Sequence, residues 1–124
     1  MRTSHAVFEH LQLFVPEGDR PSKATPVDLH DKWVVKLLDL CATLFRGATA
    51  YGRGVGVWRN DGDTCWDRVT VVEVWIDPEM RQIPYKLRRL RSKLARMAQA
   101  LRQDVVAYIL NGVMYRIPTS ERTR

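Results

Sequence analysis

Apolar and polar residues alternate along VFEHLQLFV, from position 7 to 15, with Val7, Leu11, Leu13 and Val15 on one side and Phe8, His10, Gln12 and Phe14 on the other. A period of two is the signature of a half-buried strand. A polar, proline-containing stretch from 16 to 26 reads as a loop. Thr25-Pro26-Val27-Asp28 then supplies a cap, a proline at the first helical position and an acid in the first turn. The period changes to that of a helix, on which Val27, His30, Val34, Leu37, Leu38, Cys41, Leu44 and Phe45 share a face. Gly47 ends it, with Arg46 suited to the helix terminus.

Two β-rich runs follow, ATAYGRGVGVWRN and DTCWDRVTVVEVWID, joined by Asp61-Gly62, a pair suited to the positive φ angles of a type I′ hairpin. An unbroken two-residue hairpin pairs Trp58 with Cys65, Tyr51 with Val72, Ala50 with Glu73 and Ala48 with Trp75. That register turns Val72, Val74 and Ile76 toward the helices and leaves Val71, Glu73 and Trp75 on the open face, beside Ala48, Ala50, Gly52 and Gly54. A bulge at the glycines is the alternative, and it shifts the register.

A second helix is predicted from Pro84 to Arg102, with Ile83, Leu87, Leu90, Leu94, Met97, Ala98 and Leu101 as its apolar stripe. VVAYIL and VMYRIP flank Asn111-Gly112, a second hairpin signal, and residues 118–124 read as a flexible tail. The order βαββαββ predicts an α+β fold, an α/β-plait or ferredoxin-like sandwich, with strands one and three adjacent at the centre and both helices on one face.

At 124 residues the chain suits one domain, ordered over about 6–117. No apolar run approaches the ~18 residues of a membrane span, and Glu9, His10 and Gln12 interrupt any leader-like stretch. A cytoplasmic protein without membrane contact is the expectation. Cys41 and Cys65 lack metal-site or disulfide-framework spacing and read as free thiols.

Charge changes the picture. The net charge is +6, and the segment from Met80 to Gln103 carries eight cations, Arg81, Lys86, Arg88, Arg89, Arg91, Lys93, Arg96 and Arg102, with no acid among them. A stripe of one sign forgoes Glu-to-Lys pairing and attracts phosphates. The leading expectation is therefore a non-enzymatic binding module or accessory subunit that engages nucleic acid or an acidic protein partner through this basic helix. Leu13-Phe14-Val15 faintly resembles the first-strand element of the RNA-recognition motif, but RVTVVEVWI lacks that family's third-strand aromatics, which excludes it. No helix-turn-helix pattern precedes the basic helix either.

The open sheet face is the second candidate. His10 and Gln12 come beside Glu73 and Trp75, with Phe8 and Phe14 around them. A carboxylate among aromatics is expected to have a raised pKa, and with His10 it forms a conceivable proton-transfer pair, the core of an alternative reading as a small-ligand protein or enzyme. Phe8, Phe14 and Trp75 also suit a contact between copies in a homo-oligomer or a larger complex. Asp61, Asp63, Asp67 and Asp77 lack the rest of a calcium loop, and Gly52, Gly54 and Gly56 precede a strand rather than a helix, so neither a metal nor a cofactor is expected. His5 and His30 have no evident metal partners, and Trp33, just off the stripe of the first helix, marks a further contact surface.

Overall fold

A computed structural model describes residues 7–19 and 27–119. The elements run β1 (Glu9–Asp19), α1 (Val27–Phe45), β2 (Thr49–Asn60), β3 (Asp63–Ile76), α2 (Ile83–Ala100), β4 (Val105–Leu110) and β5 (Val113–Pro118). They build a five-stranded antiparallel sheet in the order β2-β3-β1-β4-β5, with β1 and β3 central as the plait requires.

Strand parity places the core. Leu11, Leu13 and Val15 of β1, Val72, Val74 and Ile76 of β3, and Val106 and Tyr108 of β4 are all buried. They pack against Trp33, Leu37, Cys41, Leu44 and Phe45 of α1 and Leu90, Leu94, Met97 and Ala98 of α2 in one continuous cluster. Both helices therefore cover the same sheet face, which leaves the other face open. Trp33 belongs to this core at 9 % exposure, so it does not mark a separate contact surface.

Both hairpin turns adopt the geometry their sequences predict, with positive φ at Asp61, Gly62, Asn111 and Gly112. Three boundaries differ. β1 runs on to Asp19, bending where its pairing with β3 shifts between Pro16 and Asp19, because the long β3 continues to supply ladder partners. Residues 16–19 of the predicted loop therefore belong to β1, and the rest of it, with the expected Thr25-Pro26 cap, lies outside the described residues. α2 begins at Ile83, behind a left-handed Gln82 whose carbonyl accepts from the Lys86 amide at 3.0 Å. At the other end, β5 includes Pro118, and Thr119 donates its amide to Asp104 and its hydroxyl to Gln103, both at 2.9 Å, so the expected flexible tail does not begin at 118.

The largest correction concerns β2. Its pairing with β3 follows the expected register from Asn60 back to Gly54, opposite Val69, and then shifts, so that Tyr51 faces Val71, Ala50 faces Val72 and Thr49 faces Glu73. Two residues, Gly52 and Arg53, stand opposite Thr70. Ala48 and Ala50 consequently pack on the core side, and Tyr51 turns to the open face. Packing selects the bulge, because two alanines fit under α1 where Tyr51 and Thr49 would otherwise lie. Arg53 faces the helix side, where it meets the buried Glu17 at 2.7 Å and Asp31 at 3.1 Å. Asp31 also contacts the ring of the buried His30, whose other nitrogen faces the Val15 carbonyl at 3.3 Å.

Candidate functional site

On the open face, cross-strand pairing brings His10 opposite Trp75 and Gln12 opposite Glu73. The His10 imidazole lies flat on the Trp75 indole, with ring centroids 3.9 Å apart and planes 8° from parallel. Its Nε2 reaches Glu73 Oε2 at 2.7 Å. On the opposite side, the Tyr51 hydroxyl donates to Glu73 Oε1 at 2.9 Å. Each carboxylate oxygen thus has its own partner, one from the central strand β1 and one from the edge strand β2. The His10 and Glu73 side chains are 29 % and 19 % exposed, so the cluster is reachable from solvent.

Electrostatics follow from those donors. The His10 hydrogen bond lowers the Glu73 pKa most, Tyr51 lowers it next, and the Trp75 side chain adds a smaller contribution, against an opposing desolvation. This corrects the expectation of a raised carboxyl pKa: hydrogen bonding to the charged form outweighs the aromatic surroundings. Glu73 is a fixed anion at neutral pH and a poor general base. The same contact raises the Tyr51 phenol pKa, since a phenolate beside a carboxylate is disfavoured.

Around this cluster Phe8 is 44 % exposed, Trp75 52 % and Tyr51 54 %, while Phe14, opposite Val71, is half-buried. Sequence reasoning placed His10, Gln12, Glu73 and Trp75 together but missed Tyr51, because an unbroken hairpin puts it on the wrong face. The signal was the Gly52-Arg53-Gly54 run, where a bulge is tolerated.

The eight cations of the basic segment do not gather into one surface. Arg81 precedes α2 and Arg102 follows it. By helical spacing Lys86, Arg89, Lys93 and Arg96 form one flank and Arg88 and Arg91 the other. Arg89, Lys93 and Arg96 border a shallow concavity with Leu40 and Ser92, and Arg88 lies over the Tyr85 ring, 5.8 Å from its centroid, beside a second concavity. Neither concavity contains the Glu73 cluster. Among the described residues no three His, Cys, Asp or Glu side chains converge as a metal site, and no helix is long and apolar enough to cross a membrane.

Fold and site together define an α+β plait with an acidic, aromatic cluster on its uncovered sheet face. Among the solved structures that resemble it are two with that fold. One is a phage SAM lyase in its apo state, with a TM-score of 0.64 at 13% identity over 95% of this chain and 94% of that one. The other is a phage SAM lyase in complex with S-methyl-5′-thioadenosine, with a TM-score of 0.61 at 11% identity over 95% of each chain. No family model and no curated protein matches the sequence. At such identities the likeness is one of fold. The leading expectation of a non-enzymatic module built on the basic helix is corrected by this likeness: both of these fold neighbours are an enzyme, one of them in complex with S-methyl-5′-thioadenosine.

Proposed function

We propose that this protein is a small-molecule enzyme that acts on an adenosine sulfonium such as S-adenosylmethionine and releases a thioadenosine. The observation that carries the reading is the Glu73 carboxylate, held anionic by His10 and Tyr51 beside Trp75 on the solvent-reachable sheet face. A fixed anion with little affinity for protons is matched to a cationic ligand, whether the charge is sulfonium or ammonium. The half-exposed Trp75, backed on one side by His10, supplies a flat surface on which a purine ring stacks. As the carbon–sulfur bond breaks, the substrate's own α-carboxylate closes on the departing carbon to form a lactone, the electron pair stays on sulfur, and the cation becomes a neutral thioether that loses its attraction for Glu73. The fold neighbours, a phage SAM lyase and its thioadenosine complex, support the same reading.

Phe8, Trp75 and Met114 lie exposed on this face, and a second copy of the chain packed there encloses the cluster and excludes water from it.

Incubation of the purified protein with S-adenosylmethionine, with thioadenosine followed by chromatography, tests the proposal. Release by the native protein and at least a tenfold loss in Glu73→Gln are expected. Absence of release, together with no detectable binding of S-adenosylmethionine or S-methyl-5′-thioadenosine by calorimetry, overturns it.

A further inference from the structure

The His10 imidazole has its place only if the end of β1 is fixed, and the sheet fixes it unusually. β4 pairs with β1 over just three positions, Leu11 with Leu110, Gln12 with Ile109 and Leu13 with Tyr108. The next residue of β1 is His10, and the next on the β4 side is Asn111, which has left the strand for a left-handed turn conformation with φ 53°. The side chain takes over: Asn111 Oδ1 accepts the His10 amide at 2.8 Å, and the Asn111 amide donates to the His10 carbonyl at 2.7 Å. One residue thus closes both main-chain hydrogen bonds of His10 toward β4.

With those groups turned to Asn111, His10 and Trp75 form a non-hydrogen-bonded cross-strand pair, the kind in which side chains approach most closely. The parallel stack at 3.9 Å and the 2.7 Å contact with Glu73 both depend on that placement. Turn chemistry accounts for an asparagine at this position, but glycine or aspartate satisfies the same φ. Only a residue with an acceptor on a short side chain also extends the ladder.

We propose that Asn111 is a positioning residue of the candidate site, gripping the His10 main chain so that its imidazole is held against Trp75 and Glu73. The proposal rests on the functional reading above for its catalytic meaning, and on geometry alone for the placement.

Two variants separate the roles. Asn111→Gly keeps a type I′ turn and removes the acceptor, whereas Asn111→Asp keeps both. In Asn111→Gly, hydrogen exchange at the His10 amide rises at least tenfold, the upfield ring-current shift of the His10 ring protons falls by half or more, and the Glu73 carboxyl titration midpoint, followed by carbon NMR, moves up. Asn111→Asp preserves the amide protection and the ring-current shift. Thioadenosine release falls in Asn111→Gly chiefly through kcat and is restored in Asn111→Asp. An Asn111→Gly protein that folds with the His10 ring shifts and Glu73 titration of the native chain overturns the proposal. The spectroscopic arms need no substrate, so a native protein without lyase activity sinks the functional reading while leaving the positioning role decided separately.

Discussion

The Tyr51 hydroxyl lies 2.9 Å from Glu73 Oε1 although the two residues are not cross-strand partners: Thr49 stands opposite Glu73, and Tyr51 stands opposite Val71. The bond is a diagonal one, and it exists because Gly52 and Arg53 together oppose Thr70 and turn Tyr51 to the open face. Without that extra residue in β2, the carboxylate keeps His10 and loses its second strong donor.

Tyr51→Phe therefore raises the Glu73 titration midpoint and leaves the fold intact, because the phenol is largely exposed. His10→Ala raises it further, since His10 is the larger cause. Carbon NMR of the carboxyl in both variants checks the ranking. In the native protein the Tyr51 phenol, observed by absorbance or NMR, titrates above the ordinary value of 10.0.

The sign of the acid dependence follows. A carboxyl whose pKa is lower in the folded chain contributes stability that is present above its unfolded pKa and lost as pH falls through the folded value. The window for Glu73 accordingly lies below the ordinary 4.5. Between pH 6 and pH 2, the difference in unfolding midpoint between the native protein and Glu73→Gln shrinks as Glu73 protonates, and denaturant titrations across that range measure it.

Arg53→Met destabilises the chain by about 1 kcal/mol, because it removes a charge-assisted contact at 2.7 Å to the nearly buried Glu17 carboxylate. The one-third exposure of Arg53 keeps the loss below that of a wholly buried pair. Chemical denaturation of Arg53→Met, Glu17→Gln and the double variant gives the coupling, with the double variant less destabilised than the sum of the two.

Leu94 is fully buried at the centre of α2, and truncating it to alanine costs about 2–5 kcal/mol, whereas Arg89→Ala on the exposed flank costs about 0.5 kcal/mol or less. Urea unfolding separates the two.

Burial pushes the Cys41 thiol up to about 12. In a Cys65→Ser background at neutral pH, a thiol reagent leaves the folded protein unmodified and reacts once denaturant opens the core.

Local signals determined much of this protein. Period-two and period-3.6 patterns set the seven elements, Asp61-Gly62 and Asn111-Gly112 set the turns, and the parity of Val72, Val74 and Ile76 chose the buried side of β3. These are choices between near neighbours in the chain, where propensity and patterning act directly. Placing His10 near Glu73 needed only that β1 and β3 be adjacent, which the element order implied.

Tertiary structure decided the rest. The bulge at Gly52 and Arg53 reflects competition between two registers for the space under α1, and nothing within β2 alone ranks Ala50 against Tyr51 for that space. The lowered Glu73 pKa depends on donors arriving from β1 and β2, residues 63 and 22 positions away along the chain. The basic stripe misled for the complementary reason: like charge is conspicuous in a linear sequence, while helical geometry divides it between two flanks. Asn111 shows both levels in one residue, its turn conformation written in the Asn-Gly pair and its grip on His10 created only when β4 settles beside β1.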